Sequence, residues 1–179
     1  FSYAGQRIGL MIISPKLFHT TAPDLKRYYT SDQFGRAMIF GTVYALSAGT
    51  SHSAQYALTA ILKAANNGKF NFLKDVKEYG EKAKIMKKMF TDNGFKIVYD
   101  LDENEPIADG FYFTFSYPGF SGEQLLEKLI YYGISAISLA ITGSEKTEGM
   151  RACVSLVNRS QFPELERRLK IFNEHHKDK

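Results

Sequence analysis

Apolar side chains recur at spacings of three and four through the middle and the end of the chain, which is the period of an amphipathic α-helix. This spacing predicts a helix over about residues 53–66 that stops at Gly68, and a longer helix over about 71–93 that ends at Asn93-Gly94. It also predicts a final helix with one apolar stripe, formed by Phe162, Leu165, Leu169 and Phe172. Each of these helices is expected to bury one face.

The first fifty residues have a different pattern. Arg7 to Ser14 is an almost uninterrupted apolar run ended by Pro15, which is typical of a strand buried on both faces in a parallel sheet covered by helices. A helix is predicted from about Pro23 to Leu46, with a break near Gly35 or Gly41. A loop of small polar residues, 47–53, then leads to the next helix.

From about residue 73 onward, helices alternate with short aromatic and β-branched runs. Four strands are predicted, at about 95–99, 111–116, 134–141 and 150–157. Ser121 and Gln124 have the spacing of a capping box in front of a helix that ends at Gly133. The predicted fold class is therefore α/β: the end of one α/β unit, followed by an α+β layer with a mainly antiparallel sheet.

Composition narrows the function classes. The 179 residues are 44% hydrophobic, and the formal charge of +4 is spread along segments that also carry Asp and Glu, so nucleic-acid binding is not expected. No apolar run approaches the roughly 20 residues needed to cross a bilayer, so no membrane partner is expected. The single cysteine, Cys153, excludes an intrachain disulfide and favours a reducing, cytoplasmic location.

Two arginines are the main candidates for chemistry. Arg7 follows Gly5 at the start of the apolar run, where glycine allows close backbone approach and the forked cation suits a phosphate. Arg151 falls within a predicted strand whose alternation places Arg151, Cys153 and Ser155 on one face. An arginine among small and apolar residues needs an anion if it is buried. The alternatives are a surface position for Arg7 and a structural ion pair for Arg151.

The remaining polar residues are interpreted as structural, and no metal site is predicted. The histidines have no ligand spacing; His52 is interpreted as a loop residue and His175-His176 as a solvated tail. Cys153 is interpreted as a small core residue. The acidic stretch 100–105 lacks the spacing of a calcium loop and is predicted to be a solvent-facing loop.

Two motifs resemble a known family. The stretch Phe1-Ser2-Tyr3-Ala4-Gly5-Gln6-Arg7-Ile8-Gly9 resembles the segment that follows the Schiff-base lysine in class I/II aminotransferases, the aspartate aminotransferase-like enzymes of fold type I that depend on pyridoxal 5'-phosphate (PLP). The stretches 149–155 and 164–169 resemble the arginine strand and the closing helix of the same family. The resemblance places the lysine two positions before Phe1.

The resemblance implies a role for each candidate. Gly5 and Arg7 would bind the cofactor phosphate, and Arg151 would bind the substrate α-carboxylate through two parallel hydrogen bonds. The substrates would be an L-amino acid and a 2-oxo acid, between which the enzyme transfers an α-amino group. None of the catalytic residues would lie in this chain, so the isolated chain is expected to be inactive.

The resemblance also implies an organisation. Residues 1–50 would be the carboxyl-terminal part of the large PLP-binding domain, residues 51–72 a connecting helix, and residues 73–179 the small carboxyl-terminal domain. The family's members work as homodimers, so a homodimer is expected. Two alternatives stay open: a PLP-dependent carbon-sulfur lyase of the same fold, and a non-enzymatic α/β domain whose arginines make structural ion pairs.

Overall fold

The computed structural model describes residues 5, 7–107 and 110–177. The chain divides into two compact units, residues 1–72 and 73–179, and each is described by itself. Residues 1–4 and 6 of the amino-terminal motif lie outside the described residues. The assignment of the two units to a large and a small domain stays a prediction.

The first unit is built from short helical segments and one longer helix. The short segments are α1 (Pro15–Phe18), a 3₁₀ turn (Pro23–Arg27), α2 (Phe34–Arg36), a π-helix (Ala37–Tyr44) and α3 (Ala45–Ser47). The longer helix is α4 (His52–Asn66), which matches the predicted helix over 53–66 and is followed by Gly68 with φ +67°. His52 is thus the first residue of this helix and not a loop residue.

The predicted buried strand over Arg7–Ser14 is wrong. In the structure this segment has no regular secondary structure up to Ser14. Its side chains Leu10, Met11 and Ile12 are exposed, with Ile12 at 87%, while Ile8 and Ile13 are half-buried. A strand buried on both faces depends on neighbouring strands for its hydrogen bonds and on helices for its cover. Within the described residues of the first unit, the only β pairing is the isolated bridge between Thr21 and Gln33.

The predicted helix over Pro23–Leu46 is divided at a different place. The break falls between the 3₁₀ turn ending at Arg27 and α2 beginning at Phe34, and the helical backbone runs without a break through both glycines. A Cβ atom at Gly35 would collide with the Phe18 ring, and one at Gly41 with the Tyr29 ring. These glycines therefore serve close packing and do not end the helix.

The described residues of the second unit form three α-helices and six short strands. The helices are α5 (Phe72–Asp92), whose first residue belongs to the first unit, α6 (Gly122–Tyr131) and α7 (Phe162–His176). The strands are β1 (Lys96–Ile97), β2 (Leu101–Asp102), β3 (Glu105–Pro106), β4 (Tyr112–Ser116), β5 (Ile137–Ser138) and β6 (Met150–Cys153). The mixture of helices with an antiparallel sheet confirms that part of the predicted fold class.

The main sheet has the strand order β1-β4-β6-β5, and every pairing is antiparallel. The two central strands, β4 and β6, align Thr114 with Arg151 and Phe115 with Met150. β2 and β3 form a separate small hairpin within the predicted acidic loop. The sheet therefore places residues from distant parts of the sequence opposite one another.

One face of the sheet carries the hydrophobic core. Inward-facing side chains of β4 and β6 form a single buried cluster with residues of α5, α6 and α7. The helices contribute Ala83, Met86, Met89, Phe90, Leu125, Leu129, Leu169 and Phe172, and the strands contribute Phe113, Phe115, Met150 and Ala152. The Phe90 and Phe115 rings lie 4.6 Å apart between centroids, and both residues are buried. The unit is thus a two-layer arrangement of helices on one side of a sheet.

Local signals in the sequence set the ends of these helices. The Ser121 hydroxyl accepts a hydrogen bond from the backbone N–H of Gln124, and the Gln124 side chain accepts one from the backbone N–H of Ser121. This reciprocal pair is the predicted capping box. Gly94 and Gly133 follow α5 and α6 with φ of +83° and +68°, the left-handed backbone that favours glycine at this position.

Each of the four predicted strands is longer than the strand observed. Only Ile137 and Ser138 of the predicted strand 134–141 pair with β6, and a 3₁₀ turn, Leu139–Thr142, follows at once. β6 ends at Cys153, and Leu156, which lies within the predicted strand 150–157, is 81% exposed. Strand length here depends on where the partner strand ends, and an apolar run does not contain that information.

Candidate functional site

The two predicted phosphate contacts lie in the first unit. Gly5 and Arg7 are both exposed, and Arg7 has φ +52°, in the left-handed region that non-glycine residues rarely adopt. A Cβ atom at Gly5 would meet nothing within 4 Å, so the backbone there is open to a ligand. An arginine two residues after a glycine with an open backbone is a donor set of the chemistry that fits a phosphate.

Arg151 lies in β6 on the face of the sheet opposite the hydrophobic core. The burial alternation along β6 puts Met150 and Ala152 in the core and leaves Arg151 and Cys153 half-buried on the other face. This confirms the predicted alternation. Cross-strand pairing adds Thr114 from β4 and Ile137 from β5 as the neighbours of Arg151.

The Arg151 guanidinium is held by an aromatic ring. Its central carbon lies 4.3 Å from the centroid of the Tyr112 ring, a cation–π contact between adjacent strands. Its Nε atom is buried and has no hydrogen-bond partner among the described residues. In the part of the chain that the structure describes, Arg151 forms no ion pair with a carboxylate.

The structural ion pair that was an alternative role for Arg151 is therefore absent within the described residues. A half-buried cation with an unsatisfied buried N–H group costs free energy unless an anion completes it. The fork of N–H groups on a guanidinium matches the two oxygens of a carboxylate. The geometry around Arg151 thus suits the binding of an external carboxylate.

Cys153 is the neighbour of Arg151 on this face, and not the core residue that the sequence predicts. Its Sγ atom lies 3.2 Å from the Ser155 hydroxyl. Burial by itself raises the pKa of the thiol, but hydrogen bonds from Ser155 and from the backbone N–H of Leu156 outweigh it, and the charge of Arg151 adds to them, so the pKa is lowered. The surroundings of Cys153 therefore favour the thiolate form of its side chain more than water does.

The carboxyl-terminal histidines do not form a solvated tail. α7 continues to His176, which is 9% exposed and packs against Phe172, with ring centroids 4.6 Å apart. The Tyr132 hydroxyl lies 2.8 Å from His175 Nδ1. The sequence prediction was wrong because His176 lies one helical turn after Phe172 and so extends the buried stripe.

The structure places the candidates in separate units: Gly5 and Arg7 in the first, and Arg151 in the second. Sequence reasoning missed Tyr112 as a neighbour of Arg151. The alternation of residues 111–116 could have placed Tyr112 and Thr114 on one face, but only the cross-strand register brings that face together with β6.

Neither a metal centre nor a membrane span is found in the described ranges. No group of three or more His, Cys, Asp or Glu side chains there could hold a metal ion. Among the helices of those ranges, none has the length and apolar character needed to cross a membrane.

The fold resembles that of solved aminotransferases. It is similar to LysN, the α-aminoadipate aminotransferase of Thermus thermophilus solved in complex with N-(5'-phosphopyridoxyl)-L-leucine, with a TM-score of 0.55 at 16% identity over 74% of this chain and 33% of LysN. A second similarity, to the histidinol-phosphate aminotransferase of Clostridium acetobutylicum, has a TM-score of 0.41 at 15% identity over 53% of this chain and 26% of that enzyme.

The similarity to LysN concerns the fold. The chain spans about a third of the length of LysN, and its fold is similar to that part of this aminotransferase. The second TM-score is too low to add to this conclusion. No protein-family model matches the sequence, and no curated protein matches it.

Proposed function

We propose that this chain is the carboxyl-terminal part of a PLP-dependent aminotransferase, which transfers an α-amino group between an L-amino acid and a 2-oxo acid. Two independent lines support the proposal. The fold is similar to part of LysN, an aminotransferase. The amino-terminal motif and the arginine strand resemble the corresponding segments of class I/II aminotransferases.

The observation that carries the proposal is that Arg151 is half-buried and has no carboxylate partner among the described residues. Its side chain is half-buried, its Nε atom is buried without a hydrogen-bond partner, and no carboxylate of the described residues neutralises it. A substrate α-carboxylate would supply the missing charge and accept hydrogen bonds from the two terminal Nη groups of the guanidinium in a bidentate pair. Arg151 would thereby fix the position and orientation of the substrate.

Gly5 and Arg7 would hold the phosphate of PLP. The Arg7 guanidinium would donate hydrogen bonds to the phosphate oxygens, and the glycine would let the backbone approach them closely. When bound, the cofactor supplies a ring that accepts electrons from the substrate. The protein's contribution here is anchoring at two points, the cofactor through Arg7 and the substrate through Arg151.

Replacing Arg151 in the full-length enzyme tests the proposal. Arg151→Ala is expected to lower kcat/KM for amino transfer. The loss of transition-state stabilisation should be about 2–5 kcal/mol, because the substitution removes one partner of a hydrogen-bonded charge pair. Arg151→Lys should recover only part of this, since a lysine cannot form the bidentate pair. Arg167→Ala is the matched control: it removes an exposed arginine of the same unit, and its kinetics should be unchanged.

Unfolding of each variant is measured beside the kinetics. Unaltered kcat/KM in a folded Arg151→Ala enzyme would show that the arginine has a structural role, and would favour the non-enzymatic alternative. Release of pyruvate and ammonia from a cysteine conjugate, without 2-oxo-acid-dependent amino transfer, would instead identify the full-length protein as a carbon-sulfur lyase.

The cofactor contact has its own test. Arg7→Ala in the full-length enzyme is expected to weaken PLP binding by about tenfold or more, because a charge-assisted hydrogen bond contributes about 1.5–3 kcal/mol. A spectrophotometric titration with PLP measures this. The 179-residue chain by itself is expected to catalyse no amino transfer, since the resemblance places the catalytic lysine before Phe1. The homodimer and the cytoplasmic location remain proposals of the same kind.

A further inference from the structure

Tyr112 connects Arg151 to the aromatic groups of the second unit. The Tyr112 ring lies edge-to-face against Phe111, with centroids 6.3 Å apart, and Phe111 lies in the same way against Tyr79 of α5 at 4.9 Å. The Tyr112 ring also contacts Arg151, whose central guanidinium carbon lies 4.3 Å from the ring centroid. The ring that contacts Arg151 is therefore linked to α5 through Phe111.

A ring and a carboxylate hold an arginine in different ways. A carboxylate of the protein would occupy the N–H groups at the edge of the guanidinium, which are the groups that bind a substrate carboxylate. An aromatic ring contacts the flat face and leaves the edge donors available. In the structure the central carbon of the Arg151 guanidinium lies over the Tyr112 ring, and no carboxylate of the described residues forms an ion pair with Arg151.

We propose that Tyr112 is the positioning residue for Arg151: its ring holds the guanidinium in place through the cation–π contact, so that the N–H groups turned away from the ring are oriented for a carboxylate before the ligand arrives. This inference rests on the proposed role of Arg151 and adds a second residue, on a different strand, to that site. Preorganisation of this kind increases affinity because less side-chain freedom is lost on binding.

The first test observes the contact directly in the ¹⁵N-labelled 179-residue chain. An arginine Nε–H group held beside the face of a ring should resonate upfield of those of exposed arginines, and the Arg151 signal is identified as the one lost in Arg151→Lys. Tyr112→Phe should keep the upfield position, because it keeps the ring. Tyr112→Leu should move the signal to the position of the exposed arginines.

The second test measures carboxylate binding by the same variants, with pyruvate as the probe. The strength of a cation–π contact predicts that Tyr112→Leu weakens pyruvate binding by about 3- to 30-fold, whereas Tyr112→Phe binds as the unaltered protein does. In the full-length enzyme the same change should appear in KM for the amino acid, with kcat retained. Tyr131→Leu is the control, because it removes another exposed tyrosine of the same unit.

The outcomes separate this inference from the proposed function. If Arg151→Ala abolishes pyruvate binding but Tyr112→Leu leaves it unchanged, Tyr112 has no positioning role and the proposed function stands. If neither substitution affects binding, Arg151 is not the carboxylate site, and both proposals are overturned. Loss of binding in Tyr112→Phe would also overturn this inference, because it would assign the effect to the hydroxyl. Should Tyr112→Leu unfold the chain, Tyr112→Thr provides a second variant that lacks the ring and keeps strand propensity.

Discussion

The two units of this chain use apolar side chains in opposite ways. In the second unit, aromatic and aliphatic residues from three helices and the sheet form one buried cluster. In the first unit the buried apolar residues are Ala37 and Ala54, while large side chains such as Leu10, Phe40 and Leu46 are exposed among its described residues. Hydrophobic sequence therefore produces a core only where another element covers it.

The same contrast holds for helix ends. Ser121 caps α6 with its side chain and completes a capping box. Ser51 stands at the equivalent position of α4 but makes no such hydrogen bond, and its hydroxyl lies 2.9 Å from that of Ser53. A serine in front of a helix contributes to stability only when its side chain satisfies the first N–H groups of that helix.

The largest expected effect is in the core of the second unit. Phe115→Ala should lower the free energy of unfolding of that unit by about 3–5 kcal/mol, because it removes a fully buried ring and leaves a cavity. Denaturant unfolding followed by circular dichroism measures the change. A loss below about 1 kcal/mol would mean that the cluster does not hold this unit together.

Removing a helix cap should lower the free energy of unfolding by less than Phe115→Ala does, and the loss should differ between the two units. Ser121→Ala is expected to cost about 1 kcal/mol, since the N–H of Gln124 loses its acceptor. Ser51→Ala is the matched substitution in the first unit and should cost clearly less. Equal losses in the two variants, measured by the same unfolding assay, would contradict the difference in capping.

Exposed rings of the first unit should contribute little to the stability of this chain. Phe40→Ala replaces a side chain that is 62% exposed, so it should change the free energy of unfolding by no more than about 0.5 kcal/mol. Phe115→Ala serves as its buried counterpart. A large destabilisation by Phe40→Ala would show that this ring is buried in solution.

The smallest effect is electrostatic and concerns the surface of α7. Hydrogen bonds from Arg167, followed by those from Arg168, lower the pKa of Glu164 to about 2. Because this pKa lies below the usual 4.5, the carboxylate stabilises the fold above about pH 4.5, and this stabilisation is lost as the pH falls toward 2. Glu164→Gln should remove that part of the acid dependence.

An NMR titration of the Glu164 carboxyl carbon checks this pKa. A midpoint near 2 is expected, and a midpoint near 4.5 would show that the two arginines do not hold the carboxylate in solution. Arg167→Ala should shift the midpoint upward, since it removes the strongest of the contacts.

Features that depend on neighbouring residues in the sequence could be predicted. The helical period predicted α4 and α5 to within a few residues, and the spacing of Ser121 and Gln124 predicted a capping box that the structure confirms. The two-residue alternation of β6 correctly placed Arg151 on the face away from the core. Each of these features depends on residues that lie within about one helical turn or one strand of each other in the sequence.

Features that depend on a partner element could not be predicted in the same way. The apolar run before Pro15 was predicted to be a buried strand, but no described strand of the first unit pairs with it. β5 was predicted to be long, yet it pairs through only two residues. The burial of His176 was missed because it depends on the rings of Phe120 and Phe172.

The sequence by itself determined α4 and α5, the capping box of α6 and the face of the sheet on which Arg151 lies, because helical period, capping and strand alternation are local. The tertiary structure decided which ring lies against Arg151 and which histidine is buried. Tyr112 and Arg151 are neighbours only because β4 and β6 pair antiparallel in one register. Pairing across a sheet joins distant segments, and their register follows from packing of the whole unit.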